Sequence, residues 1–130
     1  MNFGNPANKY RNKKVELDGI LFDSKKESAI YLDLKRAKAT GEIKDFERQK
    51  EYTLIPAQYE FEPYTDKKGR TVDKAKCVER ACTYKADFVV TYPDGEVSVI
   101  DCKGARGLDQ KYGIKRKLMR HVHGIAIKEV

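Results

Sequence analysis

Lys85-Ala-Asp-Phe-Val-Val-Thr-Tyr92, then Pro93-Asp94-Gly95, then Glu96-Val-Ser-Val-Ile-Asp-Cys-Lys103, is the stretch that decides the fold. It reads as two strands, over 81–92 and 96–103, joined by a tight turn. Pro93-Asp94-Gly95 suits a three-residue loop, a type I turn opened by proline and closed by glycine in the left-handed region. Tyr92 then pairs with Glu96, and counting back sets Val89 against Val99 and Asp87 against Asp101. Side chains alternate along a strand and cross-strand partners share a face, so Asp87, Asp101 and Lys103 converge on one face with Val89, Val97 and Val99. Phe88, Val90, Ile100 and Cys102 fall on the other. Apolar residues on both faces imply a central hairpin covered by helices.

Two facing carboxylates in a partly buried site repel by about a kcal/mol or more, and a fold that keeps both usually neutralises them with a cation. Lys103 is one candidate. One ammonium cannot neutralise two carboxylates, however, and a hard oxygen site suits Mg²⁺ or Mn²⁺. Beside a phosphodiester such a metal polarises the phosphate and lowers the pKa of a bound water. Lys103 would then orient or help deprotonate the attacking water, or offset charge on the phosphorus.

Upstream, Val15 to Phe22 alternates around Asp18-Gly19 as a small hairpin, and Ser24 to about Thr40 follows as a helix. Ile30, Leu34 and Ala37 form its apolar stripe and Gly41 ends it. Glu27 lies at the head of that stripe, pointing at whatever the helix covers. Ser24-Lys25-Lys26-Glu27 is also a capping box, so spacing leaves Glu27 open between a cap and a site residue. Residues 51–61 read as extended, broken at Pro56. Residues 62–80, charged around Asp66-Lys67-Lys68-Gly69-Arg70, read as a protruding hairpin or a solvated loop. A second helix is predicted over 108–122, with Lys111, Lys115, Arg116, Lys117 and Arg120 against apolar Leu108, Tyr112, Leu118, Met119 and Val122, and a last strand over 125–130. The expected architecture is α/β, a mixed central β-sheet flanked by α-helices. Residues 1–14, polar and poor in branched aliphatics, read as a flexible basic arm on a single domain over 15–130.

The chain has 130 residues, and 27 Lys and Arg against 20 Asp and Glu give a net charge of +7. That balance favours an anionic partner, nucleic acid first, over a small neutral ligand. Lys25, Lys26, Lys67, Lys68, Arg70, Lys111 and Lys115 are the expected phosphate contacts. Nothing in the sequence resembles a signal peptide or a run of about 18 apolar residues, so a cytoplasmic protein is expected. Three cysteines, Cys77, Cys82 and Cys102, fit reduced thiols. Zinc is disfavoured by the loose spacing of Cys77 and Cys82 and by Cys102 pointing away from Asp101. His121 and His123 fall where the second helix ends and fit helix-end stabilisation.

Glu27 on an early helix, Asp87, and Asp101-Cys102-Lys103 on a hairpin together resemble the PD-(D/E)XK nuclease superfamily. Asn8-Lys-Tyr-Arg-Asn-Lys-Lys14, Asp18-Gly19-Ile20, Phe22-Asp23-Ser24-Lys25-Lys26-Glu27 and Tyr31 are similar to a small phage-borne family related to Holliday-junction resolvases. The resemblance implies a restriction-endonuclease-like core, with Asp87, Asp101 and the backbone carbonyl of Cys102 as metal ligands. Glu27 would be a direct or water-mediated ligand, Lys103 the catalytic lysine, and Gln49 a polar neighbour of the site. Ala86 stands where many relatives have proline, and Asp101 where many have glutamate. The expected activity is Mg²⁺- or Mn²⁺-dependent endonuclease cleavage of DNA, with branched forms such as four-way junctions as substrate. Symmetric junction cutting needs two active sites and so a homodimer. The competing expectation is a non-catalytic DNA-binding module that keeps the nuclease fold.

Overall fold

A computed structural model describes residues 14–102 and 109–130. The central turn forms as its residues dictate: the Tyr92 N–H donates to Glu96 O at 2.8 Å, the Gly95 N–H to Tyr92 O at 2.9 Å, and Gly95 takes φ 91°. Strands β6 (Cys82–Thr91) and β7 (Val97–Asp101) therefore pair antiparallel in the expected register, with Val89 against Val99 and Phe88 against Ile100.

The fold is mixed α/β, with a mixed sheet and two helices among the described residues. The small hairpin β1 (Val15–Leu17) and β2 (Ile20–Phe22) turns through Asp18 and Gly19, both at positive φ. It feeds helix α1 (Lys25–Thr40), capped by Ser24 and closed by Gly41 at φ 84°. Strand β3 (Asp45–Ile55) follows and pairs antiparallel with β6. The polypeptide then runs out through β4 (Gln58–Thr65) and back through β5 (Thr71–Glu79), a separate two-stranded sheet. After β6 and β7 come helix α2 (Gln110–His123), with Gly124 as its left-handed C-cap, and β8 (Lys128–Glu129), parallel to β7. The four-stranded sheet has the order β3-β6-β7-β8.

The structure differs from expectation in three places. Strand β3 begins at Asp45, six residues ahead of the extended stretch expected over 51–61. The last strand contributes only two residues to the ladder; Ile125 and Ile127 instead pack beneath α2, which draws the approach to β8 off the sheet. Val122, expected on the apolar face of α2, is exposed, because that helix buries a stripe centred on Tyr112 and Met119.

The sheet separates two cores. Phe22, Tyr31, Phe88, Val90, Ile100 and Cys102 pack together, with Ile30, Leu34 and Ala37 of α1 against them. On the other face Leu54, Tyr84, Ala86, Val89 and Val99 meet Tyr112 and Met119 of α2. Strict alternation would put Tyr84 and Ala86 with Phe88 and Val90. The face switches at Asp87 instead, where the facing strand carries Gln49 at φ 57° and the ladder passes from the Arg48–Phe88 pair to the Lys50–Ala86 pair without it. A non-glycine residue in the left-handed region re-aims the ribbon there. No helix among the described residues is long and apolar enough to cross a membrane.

The docking of α2 gives a stability contrast. Met119 is fully buried and Ile114 on the same helix is 58% exposed. Met119→Ala should cost about 2–5 kcal/mol in urea unfolding, and Ile114→Ala should stay within about 0.5 kcal/mol.

Candidate active site

The carboxylates of the central hairpin are buried where its backbone ladder stops. Pairing of β6 with β7 runs from Thr91–Val97 to Phe88–Ile100. Beyond it, the Cys102 N–H donates to Asp87 Oδ2 at 2.8 Å, so an aspartate side chain takes the backbone donor. Asp87 is 8% exposed and Asp101 is 2%. Tyr84 donates its hydroxyl to Asp101 Oδ2 at 2.9 Å, a bond allowed by the face switch at Asp87. Burial first, then the charge of Asp101 and that bond, hold the Tyr84 hydroxyl far above its ordinary pKa. It therefore remains a donor throughout the neutral range.

Glu27 joins this region from α1. Ser24 Oγ accepts the Glu27 N–H at 3.1 Å, so the serine half of the capping box forms. The Glu27 carboxylate is turned inward, 1% exposed, with Oε1 3.8 Å from Arg48 Nη2. Arg48 also lies over the Phe22 ring at 4.5 Å, and its Nε has no hydrogen-bond partner among the described residues.

The Cys102 thiol reports how the three acids are grouped. Burial first, then the charges of Asp87, Glu27 and Asp101, push it up to about 12, with Lys26 opposing. All three carboxylates and the Lys26 ammonium are thus within electrostatic reach of one sulfur. Cys102 itself lies in the core under α1.

Among the described residues no group of three or more His, Cys, Asp and Glu side chains that could hold a metal ion is found. Lys103 lies outside the described residues, as do 1–13 of the N-terminal arm and Leu108. Cys77 is exposed on β5, while Cys102 is buried in the core just past the end of β7.

Of the expected phosphate contacts, Lys111 and Lys115 line a groove of about 330 Å³ together with Tyr84, Lys85, Asp109 and Tyr112. Tyr84 is the common wall between this basic groove and Asp101. Tyr112 donates to Glu129 Oε1 at 2.9 Å, which fixes the groove floor to the last strand. Lys25 and Lys26 are exposed in the first turn of α1. Lys67, Lys68 and Arg70 sit at the tip of the β4–β5 hairpin, where Arg70 is held by Asp66 Oδ2 at 2.9 Å. His123 bonds Thr53 O at 2.7 Å and meets the Tyr52 ring, tying the end of α2 to β3. Gln49 is exposed and acts through its backbone.

Sequence reasoning missed Tyr84, Lys85 and Arg48. Strand parity would have excluded Tyr84, because the switch at Asp87 is invisible to it. Arg48 had one available signal: a cation beside a strand that must lie under a helix carrying an inward glutamate.

No curated protein and no solved structure matches the chain. A family model does match it over residues 7–127, nearly its whole length, and on that match the chain belongs to DUF1064, described as a protein of unknown function.

Proposed function

We propose that this chain is a metal-dependent DNA endonuclease with a restriction-endonuclease-like core, a member of the PD-(D/E)XK superfamily acting on branched DNA such as four-way junctions. The observation that carries the reading is the adjacency of two buried aspartates from facing strands to a groove walled by Lys85, Lys111 and Lys115, with Tyr84 shared between them.

The donor chemistry suits Mg²⁺ or Mn²⁺. Asp87 and Asp101 are hard oxygen ligands, and buried carboxylates gain most from a small divalent cation. Mg²⁺ is commonly bound by one or two carboxylates and keeps several waters. The backbone carbonyl of Cys102 would add a further oxygen, with Glu27 acting through water. Such an ion, when bound, polarises a phosphoryl oxygen and supplies a water of lowered pKa.

The remaining work falls to the chain itself. Tyr84 holds Asp101 in one orientation by a bond in which the tyrosine is always the donor. The Cys102 N–H does the same for Asp87. Lys85, Lys111 and Lys115 neutralise backbone phosphates beside the aspartates, and Lys26 offsets acid charge from the α1 side. In this reading Lys103 stabilises charge developing on phosphorus or steers the attacking water. Two symmetric cuts in a junction require two copies of the site, so the functional unit is a homodimer.

The deciding experiment is cleavage of labelled four-way junction, flap, linear duplex and single-stranded DNA with Mg²⁺, Mn²⁺ or EDTA. Wild type should nick the junction symmetrically with either metal and not with EDTA. Asp101→Asn should abolish cutting, at least about 100-fold, while retaining DNA affinity. Cutting of flap or duplex alone would replace the substrate; no cutting with any metal, together with undiminished binding by the mutant, would make the chain a DNA-binding module. Tyr84→Phe tests the support of Asp101: activity at limiting Mg²⁺ should fall by roughly 10–100-fold and recover in part at high Mg²⁺. In gel-shift titrations, Lys111→Glu and Lys115→Glu should weaken binding to every DNA form alike and reduce the slope of log affinity against log salt by about 1 each.

A further inference from the structure

The β4–β5 hairpin prolongs the β3–β6 ribbon outward past Pro56. Ile55 faces Cys82 and Gln58 faces Glu79, so the two ladders share one register across the break. Every residue of both strands of the hairpin is exposed. An isolated two-stranded hairpin is marginally stable in water, and among the described residues neither helix packs extensively on this one.

Its two faces differ. Register puts Tyr59 against Cys77, Phe61 against Ala75 and Pro63 against Asp73 on one side, an apolar strip broken by a single charge at its outer end. Tyr59 is 55% exposed and Phe61 is 68%. The other side sets Glu60 opposite Lys76 and Glu62 opposite Lys74, then Tyr64 opposite Val72 with the Lys74 ammonium over the tyrosine ring. Opposite charges facing across strands balance one another there.

Charge argues against DNA as the occupant of the apolar strip. Residues 58–79 hold five acids (Glu60, Glu62, Asp66, Asp73, Glu79) and five bases (Lys67, Lys68, Arg70, Lys74, Lys76), a net of zero in a chain of +7. The strip itself has no cation. Two copies of a +7 body repel, and a neutral arm projecting from each lets them meet with the basic bodies held apart.

We propose that the apolar strip of this hairpin is a dimer interface that packs face to face on the same strip of a second copy. The Phe61–Ala75 pair is the centre of the strip, so a two-fold axis through it covers Tyr59 and Cys77 of one copy with Pro63 and Asp73 of the other. The seven-pair ladder from Tyr59–Cys77 to Thr65–Thr71 is about 23 Å long at a strand's rise per residue. Stacking two such faces buries an area at the low end of specific interfaces, on the order of 1,000 Å² in total, which fits a dissociation constant in the micromolar range. The proposal rests on the homodimer of the endonuclease reading and names its interface, but it involves neither the aspartates nor the basic groove, so dimerisation and cleavage can fail separately.

Sedimentation equilibrium without DNA or metal tests it. Wild type should dimerise with a micromolar dissociation constant, Phe61→Asp should weaken dimerisation at least 100-fold, and Glu62→Gln on the opposite face should leave it within about 3-fold. Circular dichroism should show both variants folded, because the hairpin lies outside both cores. A Cys77→Ser, Ala75→Cys variant should cross-link between copies on mild oxidation, as its new thiol lies beside the axis. A wild type that stays monomeric at 200 μM (about the highest practical concentration, well above the expected constant), or a Phe61→Asp protein that still dimerises, overturns the proposal and gives the strip to another protein or to nucleic-acid bases. Either result leaves the cleavage assays to be judged on their own.

Discussion

The hydrogen bond from the Cys102 N–H to Asp87 Oδ2 fastens β6 to β7 where their backbone ladder ends. A buried N–H must be satisfied, and here a side chain from the neighbouring strand does what a carbonyl would otherwise do. Three consequences follow. Asp87 is fixed in the interior, the end of β7 is held against the sheet, and Cys102 is directed into the core under α1 while Asp101 is left on the other face. One bond thus sets the orientation of residues on both sides of the sheet.

How far the sequence reveals this depends on which physical signal carries each part. The turn at Pro93-Asp94-Gly95 has a local code, and that code sets the β6–β7 register and the pairing of Val89 with Val99. Helix α1 was equally legible, from Ser24 at its start to Gly41 at its end. The face switch at Asp87 was not, because it rests on Gln49 taking φ 57°, a conformation that residue type does not announce. Tyr84 was lost with it. The end of the chain was misjudged for another reason: Ile125 and Ile127 gain more by packing under α2 than by extending β8, a tertiary preference that overrides strand propensity.

Charge is partitioned along the chain in a way that total composition conceals. The net of +7 is carried outside the β4–β5 hairpin, whose acids and bases balance. Lys111, Lys115 and Lys85 gather around one groove, while Lys67, Lys68 and Arg70 sit at the tip of the β4–β5 hairpin, with Arg70 already held by Asp66. Basic residues that look alike in sequence therefore differ in what they offer a polyanion. Those of the groove can add their fields beside the aspartates, while at the tip Arg70 is already paired and Lys67 and Lys68 stay exposed.

The three buried acids bear most directly on the choice between an enzyme and a binding module. Glu27, Asp87 and Asp101 are all within reach of the Cys102 thiol, and each carboxylate costs free energy to bury. A module that only bound DNA would gain from losing them, since they repel the phosphates that Lys85, Lys111 and Lys115 attract. Asparagine could accept the Cys102 N–H as Asp87 does and the Tyr84 hydroxyl as Asp101 does, with no charge to desolvate. These two hydrogen bonds by themselves do not require a charge at either position. Under the proposed endonuclease reading, what the two aspartates would supply and asparagine could not is a pair of anionic oxygens for a divalent cation.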